Sequence, residues 1–227
     1  MWRKAVLFVL AALFTTIVAG GCGRPETARP PEQAEPPAAA KTEKLRPAGE
    51  LAGKKVLLVV APRDFRDEEF SVPRRVFEEQ GAQITVASSV KGTATGMLGG
   101  AVEADVVFSE VRPADFSAVV LAGGTGSKEY LWDDKELRRV VQGTYQEGKV
   151  VSAICLSPVV LARAGCLKGK EATVWPDPAA VRELKTAGAK YVDRSVVVSG
   201  SVATARDPQS AEAFAQAVAG LLERQAK

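Results

Sequence analysis

Short apolar runs that alternate with helical patterns constrain the fold of this chain more than any other feature. The runs "KKVLLVVAP" (54–62), "SAVVLAGG" (117–124) and "VVSAIC" (150–155) are continuous, as expected for strands that are covered on both faces. Helical spacing appears in "SVPRRVFEEQG" (71–81) and "DKELRRVVQGTYQEGK" (134–149), each with a glycine at its end. This alternation predicts right-handed βαβ crossovers and one three-layer α/β domain with a mostly parallel sheet.

The C-terminal third adds shorter signals of the same kind. "EATVW" (171–175) predicts a strand, "PAAVRELKTAG" (178–188) predicts a helix, and residues 194–206 predict two hairpin strands. A final helix is predicted from one apolar face, which comprises Ala211, Phe214, Ala215, Val218, Leu221 and Leu222.

The first 22 residues are typical of a targeting segment rather than of a folded domain. "MWRK" is a short cationic stretch, "AVLFVLAALFTTIV" is apolar, and "AGGC" brings small residues before a cysteine. This pattern predicts a bacterial lipoprotein signal peptide (1–22) with Cys22 as the lipidated residue and an extracytoplasmic, membrane-anchored protein. Ala19 departs from the Leu, Val or Ile usual at that position, so an ordinary cleaved signal and an uncleaved anchor remain alternatives.

The composition changes sharply after Cys22. Residues 23–53 are rich in proline and alanine and carry almost no large apolar side chains, which predicts a disordered tether. The α/β domain is then expected over residues 54–227. Without the first 22 residues, the chain has 28 basic and 27 acidic residues. A protein with so little net charge lacks the excess of positive charge that is typical of nucleic-acid binding.

Cys155 lies where an α/β enzyme places a nucleophile, between a strand and a helix that begins near Pro158. Ala153 and Ser157 are the small flanking residues that a strained nucleophile elbow requires. The N-terminus of the helix is expected to lower the pKa of the thiol. The N–H of Leu156, with that of Gly123 or Gly124, could bind an oxyanion. The alternatives are a small buried cysteine and an ordinary tight turn at the two glycines.

Glu69 is the second candidate, in the acidic segment "RDFRDEEFS" (63–71), which is expected to be a loop after the first strand. A buried, protonated carboxyl could donate a hydrogen bond to a thiolate and orient it, although it would not replace a general base. A helix cap or a solvated side chain is the alternative. Cys155 and Cys166 should lie about 16 Å apart along a helix, too far for a disulfide, so two free thiols are expected.

Four segments together resemble a known family. "AICLSPVVLARAGCLKGKEATVWPD", "DEEFSVPRRVFEEQGAQITVAS", "SAVVLAGGTG" and "VVVSGSVATARDP" are similar to the ThiJ/PfpI family, which includes the Parkinsonism-associated protein deglycase. The resemblance covers about residues 54–225 and implies the flavodoxin-like sandwich of the class I glutamine amidotransferase superfamily. It also implies that Cys155 is the elbow cysteine, that Glu69 is its acidic partner, and that Gly124 and Leu156 supply backbone donors.

The chain departs from the family pattern in one chemical respect, because it contains no histidine. Family members described as intracellular peptidases commonly have histidine after the cysteine, where this chain has Leu156. Peptide hydrolysis needs a base and an acid for the leaving amine, so a peptidase is disfavoured. We expect neither a cofactor nor a metal.

Three functions remain open from the sequence. In the first, Cys155 adds to a reactive aldehyde such as methylglyoxal while Glu69 shuttles the proton, as in the glyoxalase and deglycase activities of relatives. In the second, Cys155 is an exposed thiol of low pKa that is oxidised reversibly or to sulfinic acid, so that the protein acts as an oxidant sensor or scavenger. In the third, the fold only binds a small ligand or partner. A small electrophile or oxidant is thus the expected partner, and the dimers common among relatives allow a homodimer.

Overall fold

The computed structural model describes residues 49–225, and the predicted N-terminal signal, Cys22 and most of the tether lie outside this range. The five α-helices of the described part are α1 (Asp67–Glu79), α2 (Lys135–Gln146), α3 (Pro158–Arg163), α4 (Pro178–Thr186) and α5 (Ala211–Arg224). Its strands are β1 (Lys55–Val59), β2 (Arg63–Phe65), β3 (Gln83–Ser88), β4 (Gly92–Gly96), β5 (Ala101–Ala104), β6 (Val106–Val107), β7 (Ala118–Leu121), β8 (Val150–Ile154), β9 (Glu171–Ala172), β10 (Lys190–Tyr191), β11 (Val196–Ser199) and β12 (Val202–Ala205).

Seven strands form the central sheet, in the order β11-β12-β8-β7-β1-β3-β6. All neighbouring pairs are parallel except β11 and β12, which form the antiparallel pair predicted from residues 194–206. Strand β8 is packed between α5 on one side and α2 and α3 on the other. The three-layer, mostly parallel α/β prediction is therefore confirmed, and the predicted apolar face of α5 is buried.

The sheet order places the candidate site at a topological switch point. From β1 the chain moves outward through β3, whereas β7, β8 and β12 extend the sheet in the opposite direction. Ligands in open α/β sheets bind outside the carboxyl ends of the strands at such a reversal. The register aligns Val59 with Leu121 and Leu121 with Ala153, so Gly123 and Cys155 leave the sheet at the same level.

A small second sheet, β2-β4-β5, was absent from the sequence-based prediction. Its strands are three to five residues long and rich in glycine, threonine and alanine, and most of their residues are exposed or half-buried. Such segments give no apolar run and no clear alternation, which are the signals used to predict a strand. The turn at 97–100 that joins β4 to β5 reaches the rim of the candidate site.

Two predicted boundaries differ from the structure. Helix α1 begins at Asp67, so the segment 63–71 that was expected to be a loop instead forms strand β2 and the first turn of α1, where negative charge is favourable. Residues 49–53, assigned to the tether, belong to the folded domain: the Leu51 side chain is fully buried, and its N–H donates to Gln80 O at 3.0 Å. Within the described residues, no helix has both the length and the apolar character needed to cross a membrane.

Candidate active site

Cys155 occupies a sharp turn between β8 and α3, and its backbone has a φ of +60°. This left-handed conformation costs a residue other than glycine about 1–2 kcal/mol, so the surroundings must hold it. Cys155 N–H donates to Ala205 O at 2.9 Å, and Trp175 N–H donates to Cys155 O at 2.8 Å. Ser157 N–H closes the turn onto Ile154 O at 3.1 Å. The structure thus gives Cys155 the strained geometry of a nucleophile elbow.

Hydrogen bonds from buried side chains hold the turn at Cys155 in place. Ser157 Oγ donates to Ala122 O at 2.6 Å and lies 2.8 Å from Ser127 Oγ. The indole Nε1 of Trp132 donates to Leu156 O at 2.8 Å. Ser127 and Ser157 are fully buried, and Trp132 is nearly so. These bonds tie the turn that carries Cys155 and Leu156 to the end of β7 and to the segment before α2.

Glu69 is the third residue of α1, and its side chain is 1% exposed. Gly123 N–H donates to Glu69 Oε2 at 2.9 Å, while Arg66 N–H donates to Gly123 O at 3.0 Å. These two hydrogen bonds connect the start of α1 to the loop after β7. The second oxygen, Oε1, is buried with no partner at hydrogen-bond geometry, and the Cys155 thiol is close enough to influence the carboxyl's pKa.

The two glycines after β7 have different roles. The N–H of Gly123 is committed to Glu69, so it does not supply the oxyanion donor that the sequence left open to it. A Cβ on Gly123 would lie 2.6 Å from Glu69 Oε2 and 2.7 Å from Cys155 Cβ, which leaves no space for a side chain. Gly124 has a φ of +99°, and its N–H and that of Leu156 are near enough to the Cys155 sulfur to lower the pKa of the thiol.

The protonation of the pair differs from the sequence-based expectation. Burial raises the pKa of Glu69 to about 8, against smaller lowering effects from Gly123, the thiol and Arg66. Burial and the charge of Glu69 raise the pKa of Cys155 to about 12, against the opposing N–H groups of Gly124 and Leu156. The lowering expected at the start of α3 is outweighed, because burial and the charge of Glu69 raise the thiol pKa more than the N–H groups of Gly124 and Leu156 lower it.

A cavity of about 200 Å³ opens above the thiol. Cys155 is 8% exposed, so only the side facing this cavity is accessible. The one charged side chain on the wall, Arg66, donates from Nε and Nη2 to Glu68 at 2.8 and 2.9 Å. The wall is formed by Arg66, Met97, Gly124, Thr125, Cys155, Leu156, Trp175 and Pro208.

Sequence reasoning missed several residues of this environment. Met97 comes from the unpredicted second sheet, and Trp175 lies in a segment that was expected to be a strand. Trp132, which holds Leu156, comes before α2 and had no motif to mark it. The small side chain at Ser157 was noted for steric reasons, but its buried hydroxyl could only be placed once the strand order was known.

The other cysteine and the acidic side chains of the described part do not form a second candidate active site or metal site. Cys155 and Cys166 are both free and buried, as expected from their spacing, and Cys166 is fully enclosed among apolar residues. Residues 49–225 contain no group of three or more histidine, cysteine, aspartate or glutamate residues placed to hold a metal ion.

Fold and geometry together define an α/β sandwich with a cysteine at its elbow and a buried carboxyl beside it. The chain belongs to the DJ-1/PfpI family, whose family model matches residues 54–221. It is 53% identical over 174 residues to an uncharacterized protein of Methanocaldococcus jannaschii, covering 77% of this chain and 85% of the relative.

Two further comparisons relate the chain to a protein with a named activity and to a solved structure. Deglycase PfpI of Pyrococcus furiosus is 33% identical over 168 residues, covering 74% of this chain and 99% of that protein. The crystal structure of a ThiJ/PfpI domain protein from Brachyspira murdochii superposes with a TM-score of 0.72 at 35% identity, covering 76% of this chain and 99% of that one. The flavodoxin-like fold implied by the resemblance is confirmed.

Proposed function

We propose that this protein is a deglycase-like enzyme that acts on α-oxoaldehydes or their adducts through Cys155 and Glu69. The observation that carries the proposal is the buried Glu69 carboxyl, which is held beside the elbow thiol by Gly123 and has a pKa of about 8. A group with a pKa near the operating pH is an effective proton carrier. The deglycases at about one-third identity support the same substrate class.

The addition step follows from the protonation of the pair. When Glu69 is ionised, its carboxylate accepts the thiol proton as the sulfur of Cys155 attacks the aldehyde carbon. A carbon–sulfur bond forms, the carbonyl π bond breaks, and the oxygen takes the proton back from Glu69 to give a hemithioacetal. Glu69 therefore does more than orient the thiol, because it both removes and returns the proton.

The same carboxyl can complete the turnover. Moving the proton from the former aldehyde carbon to the adjacent carbonyl carbon, and the proton of the hemithioacetal hydroxyl to the adjacent oxygen, converts the hemithioacetal into a thioester of a 2-hydroxy acid. Water then cleaves the thioester, which releases the acid and restores the thiol. The net reaction adds one water to the α-oxoaldehyde, so no external oxidant or reductant is consumed.

The geometry favours this chemistry over the other candidates. Peptide cleavage would need an acid aimed at a departing amine, and the chain has no histidine to provide it. Oxidation of a cysteine increases with exposure and thiolate character, whereas Cys155 is buried and its pKa is raised. Carbonyl addition needs a thiolate only while Glu69 holds the proton.

Methylglyoxal consumption by the full chain tests the proposal. We expect Cys155→Ser to abolish turnover and Glu69→Gln to lower kcat by at least about 100-fold, the typical contribution of a general acid–base group. Cys166→Ala is the matched control, because it removes the other buried thiol and should retain activity. Equal rates for wild type and Cys155→Ser would exclude the enzymatic proposal and favour a binding-only role.

We further propose that the domain is tethered to a bacterial membrane, on its extracytoplasmic side, by lipid on Cys22. The support is the sequence of residues 1–53, with an apolar stretch before the cysteine and a proline-rich segment after it. Mass spectrometry of the protein from membranes should show a lipid on an N-terminal Cys22. A mature chain that begins at another residue, or that retains Met1, would contradict the tether.

A further inference from the structure

The wall of the cavity above Cys155 is suited to a substrate larger than methylglyoxal. Methylglyoxal has five non-hydrogen atoms, which fill at most about 150 Å³ even at the volume share of a liquid water each. The cavity of about 200 Å³ exceeds this, and it is open to solvent beyond the thiol. A three-carbon aldehyde bound to Cys155 would leave the outer part of the cavity unfilled.

The outer part of this cavity is lined by large apolar side chains. Trp175 and Met97 line the cavity and are 42% and 40% exposed, although side chains of this kind are usually buried. Leu156 and Pro208 continue the same wall. A ligand that covers Trp175 and Met97 removes their apolar surface from water, which stabilises the complex.

Backbone hydrogen bonds hold the main chain of both residues beside the site. Trp175 N–H donates to the carbonyl of Cys155 itself, which fixes the Trp175 backbone next to the turn that carries the thiol. Met97 N–H donates to Phe65 O at 2.9 Å. The Asp67 carboxylate accepts from the next turn residues, Leu98 N–H at 2.8 Å and Gly100 N–H at 2.7 Å.

Charge does not favour an anionic substrate. Arg66 is the one cationic side chain on the wall, and Glu68 accepts two hydrogen bonds from its guanidinium. The pair presents little net charge to the cavity. The surface therefore favours a neutral, apolar group rather than a carboxylate or phosphate.

From these observations we infer that Trp175 and Met97 select α-oxoaldehydes with a bulky apolar substituent, either aryl or branched alkyl. This inference rests on the proposed function for its reaction but on the cavity wall for its specificity. The aldehyde carbon lies at the Cys155 sulfur, and the substituent packs against Trp175 and Met97 at the rim.

Competing kinetics with phenylglyoxal and methylglyoxal test the inference. We expect wild-type kcat/KM to be at least tenfold higher for phenylglyoxal, and Trp175→Ala to lower that ratio at least tenfold, which corresponds to about 1.4 kcal/mol. Met97→Ala should lower the ratio less. Val198→Ala is the control, because Val198 is a similarly exposed apolar side chain on β11 at the far edge of the sheet. An unchanged ratio in Trp175→Ala would overturn the inference.

A binding measurement separates this inference from the proposed function. Cys155→Ala removes the reaction, and calorimetry then compares acetophenone, which carries the aryl group without an aldehyde, with acetone. We expect acetophenone to bind more tightly and Trp175→Ala to remove the difference. If wild type turns over neither aldehyde, the proposed function is wrong. If acetophenone binds equally well with and without Trp175, the inferred specificity is wrong, whatever the outcome of the turnover assay.

Discussion

At the scale of single residues, the proton on Glu69 decides how the site responds to pH. A carboxyl in water ionises near pH 4.5, whereas burial raises the pKa of Glu69 to about 8. Arg66 opposes this shift only weakly, because its guanidinium is half-exposed and already paired with Glu68. At neutral pH the folded state therefore keeps a proton on Glu69 that the unfolded chain has already lost.

The trapped proton predicts a measurable loss of stability as pH rises. Between about pH 4.5 and 8 the folded state holds a proton that the unfolded state has lost, so the free energy of unfolding decreases by up to about 1.4 kcal/mol per pH unit. Glu69→Gln cannot titrate and lacks this contribution. Urea unfolding from pH 5 to 8 should show wild type losing stability relative to the variant, and parallel profiles would contradict the assignment.

Alkylation of Cys155 should follow the ionisation of Glu69. We expect the wild-type rate with iodoacetamide to rise through about pH 8, where the carboxylate begins to accept the thiol proton. In Glu69→Gln the rise near pH 8 should disappear, because no carboxylate accepts the thiol proton. The charge of Glu69 no longer raises the thiol pKa, but burial, the largest cause, still holds it above the ordinary value of about 8.5. The profile should therefore move to higher pH.

The control for this measurement is Glu78→Gln, which changes an exposed carboxylate of the same helix that pairs with Arg74. Its alkylation profile should match that of wild type. If the alkylation profiles of wild type and Glu69→Gln coincide, Glu69 does not accept the proton of Cys155, and its role in the proposed function is wrong.

At the scale of elements, the elbow depends on side chains from outside β8 and α3. Trp132→Phe removes the indole donor to Leu156 O and leaves that buried carbonyl unpaired. We expect a loss of about 1–3 kcal/mol in the free energy of unfolding and a lower kcat at similar KM, because Leu156 N–H loses its fixed position beside the sulfur. Tyr145→Phe is a control on α2, and full activity in Trp132→Phe would contradict this role.

The elements themselves were predictable where the apolar pattern was strong. β1, β7, β8 and α5 are buried runs or single apolar faces, and each was found where the sequence placed it. The start of α1 was not found, because the acidic residues before Ser71 suggested a loop. Helix α1 contains Pro73 in its interior.

At the scale of the whole molecule, the site results from strand order, which no local pattern gives. Glu69, Gly123 and Cys155 are far apart in the sequence and meet because β1, β7 and β8 are neighbours with aligned ends. The resemblance to a family allowed these residues to be named together. The hydrogen-bond partners, the raised pKa of Cys155 and the apolar rim could not be named, because each depends on burial by distant segments.

The limit of the folded domain gives a prediction at the same scale. Leu51 is fully buried although it lies in the segment expected to be a tether. In the full chain, Leu51→Ala should lower the free energy of unfolding by about 2–5 kcal/mol. Leu98→Ala removes an exposed leucine and should change stability little. Urea unfolding measures the stability of both variants. If Leu51→Ala and Leu98→Ala lose the same free energy of unfolding, residues 49–53 belong to the tether and not to the folded domain.

The left-handed backbone at Cys155 has a consequence for selection experiments. Glycine adopts that conformation without a steric penalty, so Cys155→Gly should relieve strain at the elbow while removing its sulfur. A library randomised at this position and sorted only for folded protein should therefore enrich glycine. The same library sorted for aldehyde resistance in living cells should enrich cysteine. The difference in residue frequencies at position 155 between the two selections would measure how much folding stability is given up for the reactive thiol.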